Sequence, residues 1–230
     1  MSLHLGILTS CNIVRLRKCI DSCKPQFEKI TVFINTLDED YRNRAENLCK
    51  DLNLNYAITD SNGTPAVGKN SMLEWFTENT FDSYYAFIDG DDTFSDNAVE
   101  TITNNLHGDI LTVDIPHTEE AKAATRFVDK LTTKYYIDLL EKEIKYGANR
   151  RVIAVSRSAL CYIRYDECLH TLEDIHFAFK LIKSDLRIIR VDNTIYNYRS
   201  SRAGNAISSA EQMKNPKEFF ERFWEGLLIE

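Results

Sequence analysis

Apolar positions recur in two alternating rhythms along the first half of the chain. Residues 4–9 (HLGILT) form a short apolar run, and Ile13, Leu16, Ile20 and Cys23 follow at the spacing of one helix face. Pro25 ends that helix. Residues 30–34 (ITVFI) are a continuous β-branched run, the pattern of a strand buried on both faces. Tyr41, Ala45, Leu48 and Leu52 mark a second amphipathic helix, and residues 56–59 a third short strand. The stretch 61–68 (SNGTPAVG) reads as a loop from its glycines and proline, and Met72, Trp75 and Phe76 as a third helix. Residues 84–88 (YYAFI) predict a fourth strand that runs straight into Asp89-Gly90-Asp91-Asp92. Ala98, Val99, Ile102 and Leu106 predict the next helix, and residues 110–115 a fifth strand. Four successive strand–helix units in about 105 residues imply right-handed crossovers. They predict an α/β fold with a mostly parallel, Rossmann-like central sheet flanked by helices.

The second half is less regular. Residues 116–125 are polar and read as loop, and 131–146 as helix. Residues 152–155 are a strand candidate, and Ile175, Ala178, Phe179 and Ile182 mark a helix that starts at Leu172. Residues 186–191 and 195–198 are the last strand candidates, and 199–210 are polar and glycine-containing. Phe219, Phe220, Phe223, Trp224, Leu227 and Leu228 make an apolar face at helical spacing. No Pro-, Gly- or Ser-rich linker divides the chain. One domain is expected over 1–210, with halves of about 1–115 and 116–210. A C-terminal amphipathic helix over 211–230 is expected to pack on that domain or at a homodimer interface. Glu218, Glu221 and Glu225 on its polar face argue against docking on an anionic membrane.

Composition narrows the function classes. With 230 residues and 43% apolar content the chain can bury a full core without disulfide or metal. The net charge of −7 disfavours holding nucleic acid by bulk charge. No apolar run of membrane-spanning length and no signal-peptide pattern is present, so a cytoplasmic protein without stable membrane insertion is expected. The six cysteines contain no Cys-x-x-Cys pair and read as reduced thiols, with Cys19 and Cys23 on one helix face.

The chemistry is concentrated at the end of the fourth strand. Ligands of open α/β sheets bind beyond the carboxyl ends of the strands. Asp89, Asp91 and Asp92 lie there, and three carboxylates in four residues repel one another unless a cation compensates them. Gly90 lets the backbone turn. Hard oxygens favour Mg²⁺ or Mn²⁺, which typically take one or two carboxylates plus phosphate oxygens. A solvated turn is the competing account, with Asp92 capping a helix near Ser95.

Residues 84–95 (YYAFIDGDDTFS) resemble the metal-binding segment of the family 2 glycosyltransferases of the GT-A fold. Residues 7–23 resemble that family's first strand and helix, and Gly68-Lys69-Asn70 its segment at the start of a helix. Arg157-Ser158-Ala159-Leu160 followed by Glu173-Asp174 resembles the acceptor-side segment, and Tyr196-Asn197-Tyr198-Arg199 the terminal motif. The pieces fall in the family's order between residues 7 and 208.

The resemblance implies a metal-dependent, inverting enzyme that moves a sugar from a nucleotide-diphosphate sugar to an acceptor hydroxyl. It implies Asp91 as the direct ligand of Mn²⁺ or Mg²⁺, with Asp89 on the ribose or the metal. It implies Asp174 as general base, with Glu173 as its partner or rival; His176 is a more distant rival. Arg199 and Lys69 would reach the diphosphate, and Asp60 and Thr9 would frame base or ribose. Asp38 would replace the base-recognising aspartate of the family's Asp-x-x-Ser-x-Asp turn, whose serine this chain lacks. Asn12 reads as a helix cap. The acceptor would be a glycan or a hydroxylated base in DNA, such as hydroxymethylated DNA. The DNA acceptor would need a local basic patch, for which Lys145, Arg150, Arg151 and Arg157 are the candidates. Two alternatives stand beside this: a nucleotidyltransferase, disfavoured by the absence of glycine from residues 9–16, and a non-catalytic nucleotide-sugar-binding module.

Overall fold

The computed structural model describes residues 1–60, 64–116, 148–168, 173–174, 177, 184, 186–191 and 195–198. Four expectations fall outside these residues: the polar loop beyond residue 116, the helix at 131–146, the polar segment from Arg199 onward, and the C-terminal amphipathic helix with its interface; of the helix expected from Leu172 only Glu173, Asp174 and Phe177 are described.

Strand and helix alternate as the apolar rhythm predicts: β1 (Leu3–Thr9), α1 (Ile13–Cys23), β2 (Ile30–Ile34), α2 (Glu39–Asp51), β3 (Asn55–Ile58), α3 (Pro65–Asn79) and β4 (Tyr84–Asp89). A short β5 (Thr93–Phe94), α4 (Ala98–Asn104) and β6 (Ile110–Pro116) follow. Beyond them lie β7 (Ala148–Ser156), a 3₁₀ turn (Ala159–Cys161), β8 (Ile188–Arg190) and β9 (Tyr196–Asn197). The seven-stranded sheet has the order β3-β2-β1-β4-β7-β6-β8, and β5 pairs with β9 apart from it. Strands β1 to β4 run parallel, as crossover connections require.

The continuous apolar runs divide between two layers because successive side chains of a strand point to opposite faces. Leu5, Ile7, Val32, Ile34, Ala86 and Ile88 face α1 and α2, meeting Leu16, Cys19, Ile20, Cys23, Tyr41, Ala45 and Cys49. Leu8, Phe33, Tyr85 and Phe87 face α3, meeting Met72, Leu73 and Phe76. Both Cys19 and Cys23 are buried, as their spacing predicts. Asn12 caps α1, its side chain accepting from the Arg15 N–H.

Three local expectations are corrected. The loop at 61–68 is shorter than its composition implies, because Pro65 opens α3; a proline there loses no helical hydrogen bond. Strand β7 enters the sheet antiparallel between β4 and β6, which separates the fifth predicted strand from the fourth. Asp92 does not cap α4, whose N-cap is Asn97; it accepts instead from the Tyr196 hydroxyl.

At the amino end of the sheet, His4 is buried between Asp82 (Nδ1, 3.2 Å) and Thr31 (Nε2, 2.9 Å). Burial pulls its pKa below the ordinary value, against the opposing pull of Asp82. A histidine with a folded-state pKa below its unfolded one stabilises the fold above the unfolded value of about 6.5, and that stability is lost as pH falls through the folded value. Wild-type melting temperature is therefore expected to drop between pH 7 and pH 5. His4→Asn should melt lower at pH 7 but with a flatter pH dependence; an unchanged slope would remove His4 from this role.

Candidate active site

The site is built at the carboxyl edge of the parallel strands. Strand β4 ends at Asp89, and Gly90 follows it with its N–H on the Leu8 carbonyl at 2.6 Å. A Cβ at Gly90 would stand 2.9 Å from Thr9 Cβ and 3.0 Å from that carbonyl, so the close approach of β1 requires glycine. Thr9 is buried beneath this turn and hydrogen-bonds the Tyr41 hydroxyl. Asp91 is the outermost carboxylate of the cluster, its side chain 44% exposed and 3.4 Å from Arg15 Nη1. Asp92 is buried and accepts from Tyr196 at 2.6 Å, which ties β9 to the cluster.

The second acidic motif arrives from the far side. Glu173 and Asp174 are helical, and both are buried. Lys69, in the first turns of α3, lies beneath them with Nζ 2.8 Å from Glu173 Oε1 and 2.5 Å from Asp174 Oδ1. Local packing fixes the lysine. Asn35 donates to the Thr64 carbonyl at the head of α3, and a side chain on Gly68 would overlap Asn35. Asn70 holds Tyr165 by accepting from its N–H and donating to its carbonyl. The Tyr165 ring lies 5.1 Å from the Lys69 ammonium and stacks on Phe177.

Arg151 joins the two motifs. Its Nη1 donates to Asp89 Oδ2 and lies 2.7 Å from Asp174 Oδ2. The guanidinium stands 5.5 Å from the Tyr198 ring centroid, and its Nε is buried with no hydrogen-bond partner among the described residues. Sequence reasoning placed Arg151 only in a basic patch. The signal that finds it is strand register. Tyr84 pairs with Ser156 in antiparallel β4 and β7. The pairing runs to Ala86 and Ala154, and Asp89 and Arg151 each lie three residues beyond, at the same end of the two strands.

Charge is unevenly balanced across the site. Burial opposes ionisation of Asp174, but Arg151 and Lys69 outweigh it and hold the carboxyl below its ordinary range. Burial pushes the Glu173 carboxyl up, and Lys69 only partly offsets this. In the outer cluster, burial and the neighbouring Asp89 push Asp91 up. Burial pushes Asp92 up to about 7, against the pull of Arg151 and with Asp89 and Asp91 adding to it. Burial thus disfavours ionisation of Asp91 and Asp92, while two cations hold the inner pair.

The remaining predicted residues lie along the same edge or beyond the described chain. Asp38 caps α2, accepting from the N–H groups of Asp40 and Tyr41. Asp60 is exposed just past β3. Arg199 and His176 lie outside the described residues. Of the basic patch, Arg151 sits inside the site, and Arg157 donates to the Thr80 carbonyl and the Tyr85 hydroxyl. The side chains of Lys145 and Arg150 lie outside the described residues.

No protein-family profile matches the sequence, and no curated protein matches it. Two solved structures of S. aureus TarS are similar to the chain. One has a TM-score of 0.55 at 17% identity, over 86% of this chain and 36% of that one. The other, of TarS 1–349, has a TM-score of 0.52 at 17% identity, over 85% of this chain and 60% of that one. The chain thus spans about a third of the first and three-fifths of the second. This likeness shows the fold: an α/β domain of GT-A type with a central seven-stranded sheet flanked by helices.

Proposed function

We propose that the chain is a metal-dependent, inverting glycosyltransferase. It would move a sugar from a nucleotide-diphosphate sugar to an acceptor hydroxyl. The observation that carries this reading is the meeting of two acidic motifs at the carboxyl edge of a GT-A sheet, one outer with carboxyls that burial pushes up, one inner and held by two cations.

The outer cluster fits a hard divalent cation. Its donors are carboxylate oxygens, and burial, with their mutual repulsion adding to it, makes Asp91 and Asp92 harder to ionise without a cation. Among the described residues no three His, Cys, Asp or Glu side chains converge as a closed metal site. Asp91, with Asp89 beside it, therefore supplies one or two ligands, and phosphate and water supply the others, as Mg²⁺ commonly requires. Mn²⁺ or Mg²⁺ bound there neutralises the departing nucleoside diphosphate. Arg199 is assigned to the same phosphates, where a guanidinium can bind two oxygens at once. Thr9, Asp38 and Asp60, along the β1–β3 end of the edge, are assigned to base and ribose.

Asp174 is the base. A depressed pKa keeps it ionised at neutral pH, and each carboxylate oxygen has a second lone pair beyond its cation contact. An alcohol transfers its proton late, so a weak base within hydrogen-bond reach suffices. Glu173 keeps Lys69 in place beneath it. Lys69, first assigned to the diphosphate, is instead given to this pair because its ammonium already contacts both carboxylates. The acceptor is a sugar hydroxyl of a glycan. Among the described residues no helix is long and apolar enough to cross a membrane.

Calorimetric titration of nucleoside diphosphates and nucleotide sugars, with and without Mn²⁺, tests the reading. Metal-dependent binding of one nucleotide is expected. A folded protein that binds none would leave the non-catalytic alternatives.

A further inference from the structure

Arg151 offers two N–H bonds from one nitrogen to carboxylates of opposite motifs. Asp89 belongs to the end of β4, Asp174 to the helical segment across the cleft. The two carboxylates therefore lie within two hydrogen-bond lengths of each other, and only a shared cation makes that arrangement stable in a buried setting. Arg151 is itself largely buried, with a side chain 13% exposed, so solvent screens this exchange weakly. Among the described residues its buried Nε has no hydrogen-bond partner, and Nη1 makes the contacts to both acids.

We propose that Arg151 is a positioning residue that couples the metal-and-diphosphate half of the site to the base. This rests on the function proposed above. When Asp174 is ionised it draws part of the guanidinium away from Asp89, leaving Asp89 able to face a divalent cation. When Asp174 carries no charge, Arg151 belongs to Asp89 alone, and its positive charge opposes a cation there. The linkage is reciprocal: a cation on Asp89 hands Arg151 to Asp174 and fixes the base in place. Donor binding thereby sets the base before the acceptor arrives.

A double-mutant cycle tests the coupling without any acceptor. Wild type, Asp174→Asn, Arg151→Gln and the double variant are titrated with Mn²⁺ plus whichever nucleoside diphosphate the wild-type chain binds. With Arg151 present, Asp174→Asn is expected to weaken binding three- to tenfold. In the Arg151→Gln background, the same change should alter affinity less than 1.5-fold. An equal effect in both backgrounds would overturn the proposal. So would a tenfold loss on Arg151→Gln whatever stands at 174, which would make Arg151 a direct phosphate ligand. A merely structural arginine would lower both melting temperatures and leave the two affinity ratios equal. If Arg151→Gln does not fold, Arg151→Lys takes its place, keeping the buried charge while changing its reach. Its cycle should show a smaller coupling than wild type, and an undiminished one would refute the inference. Failure of wild type to bind any nucleoside diphosphate would instead reject the underlying glycosyltransferase reading, and the inference with it.

Discussion

Asp174→Asn is expected to lower kcat for sugar transfer by about 10²–10⁴-fold, the usual contribution of a positioned general base. The reasoning is local. Asp174 is the one carboxylate of the described site that contacts both inner cations, Lys69 at 2.5 Å and Arg151 at 2.7 Å. Those contacts hold it ionised and fix both oxygens, as a base must be fixed to meet a hydroxyl. Asparagine keeps the shape and one acceptor oxygen but cannot take a proton. Nucleotide affinity should change tenfold at most, because the outer cluster is intact. Glu173→Gln is the control. Among the described residues Glu173 contacts Lys69 but neither Arg151 nor Asp89, and burial favours its neutral form, so a neutral isostere should cost less than tenfold in kcat. Steady-state rates at saturating donor, with melting curves to show both variants folded, decide the matter. Turnover of Asp174→Asn within tenfold of wild type would remove Asp174 from the base role.

Much of this site is legible in the sequence, and the reasons are physical. The parallel half of the sheet follows from runs such as 30–34, whose β-branched residues suit a strand covered on both faces. The strand-end position of Asp89 follows because YYAFI is apolar and Gly90 breaks it. What stays hidden depends on long-range pairing. Val152 to Val155 reads as a strand by composition, but its direction and its place beside β4 are set by tertiary packing. Without that direction Arg151 is one more surface cation. Two-residue strands such as β5 and β9 have no period to detect, so the link from Tyr196 to Asp92 is equally invisible. Lys69 is visible as a cation at a helix start. Its partners, about a hundred residues further along, are not.

Asp91→Ala is expected to weaken metal-dependent nucleotide binding by at least about 100-fold. Loss of a mere outer-shell partner costs a metal site 10- to 100-fold, and Asp91 is the proposed direct ligand. The other two carboxylates do not make up the loss. Asp89 is shared with Arg151 and is at most the second ligand, and Asp92 is buried against Tyr196. Asp91 is the most exposed of the three, its side chain 44% accessible, with a loose 3.4 Å contact to Arg15. Its stability effect should have the opposite sign. A carboxyl whose folded pKa lies above its unfolded value destabilises the fold once pH exceeds the unfolded value of about 4. Removing it should leave the melting temperature at pH 7 unchanged or slightly raised. The same charge that a metal needs is one the fold tolerates at a cost, the pattern of a residue kept for binding rather than for packing. Parallel calorimetric and thermal measurements on Asp91→Ala separate the two. Lost binding with an undiminished melting temperature supports the ligand role, whereas undiminished metal-dependent binding would move the cation away from Asp91.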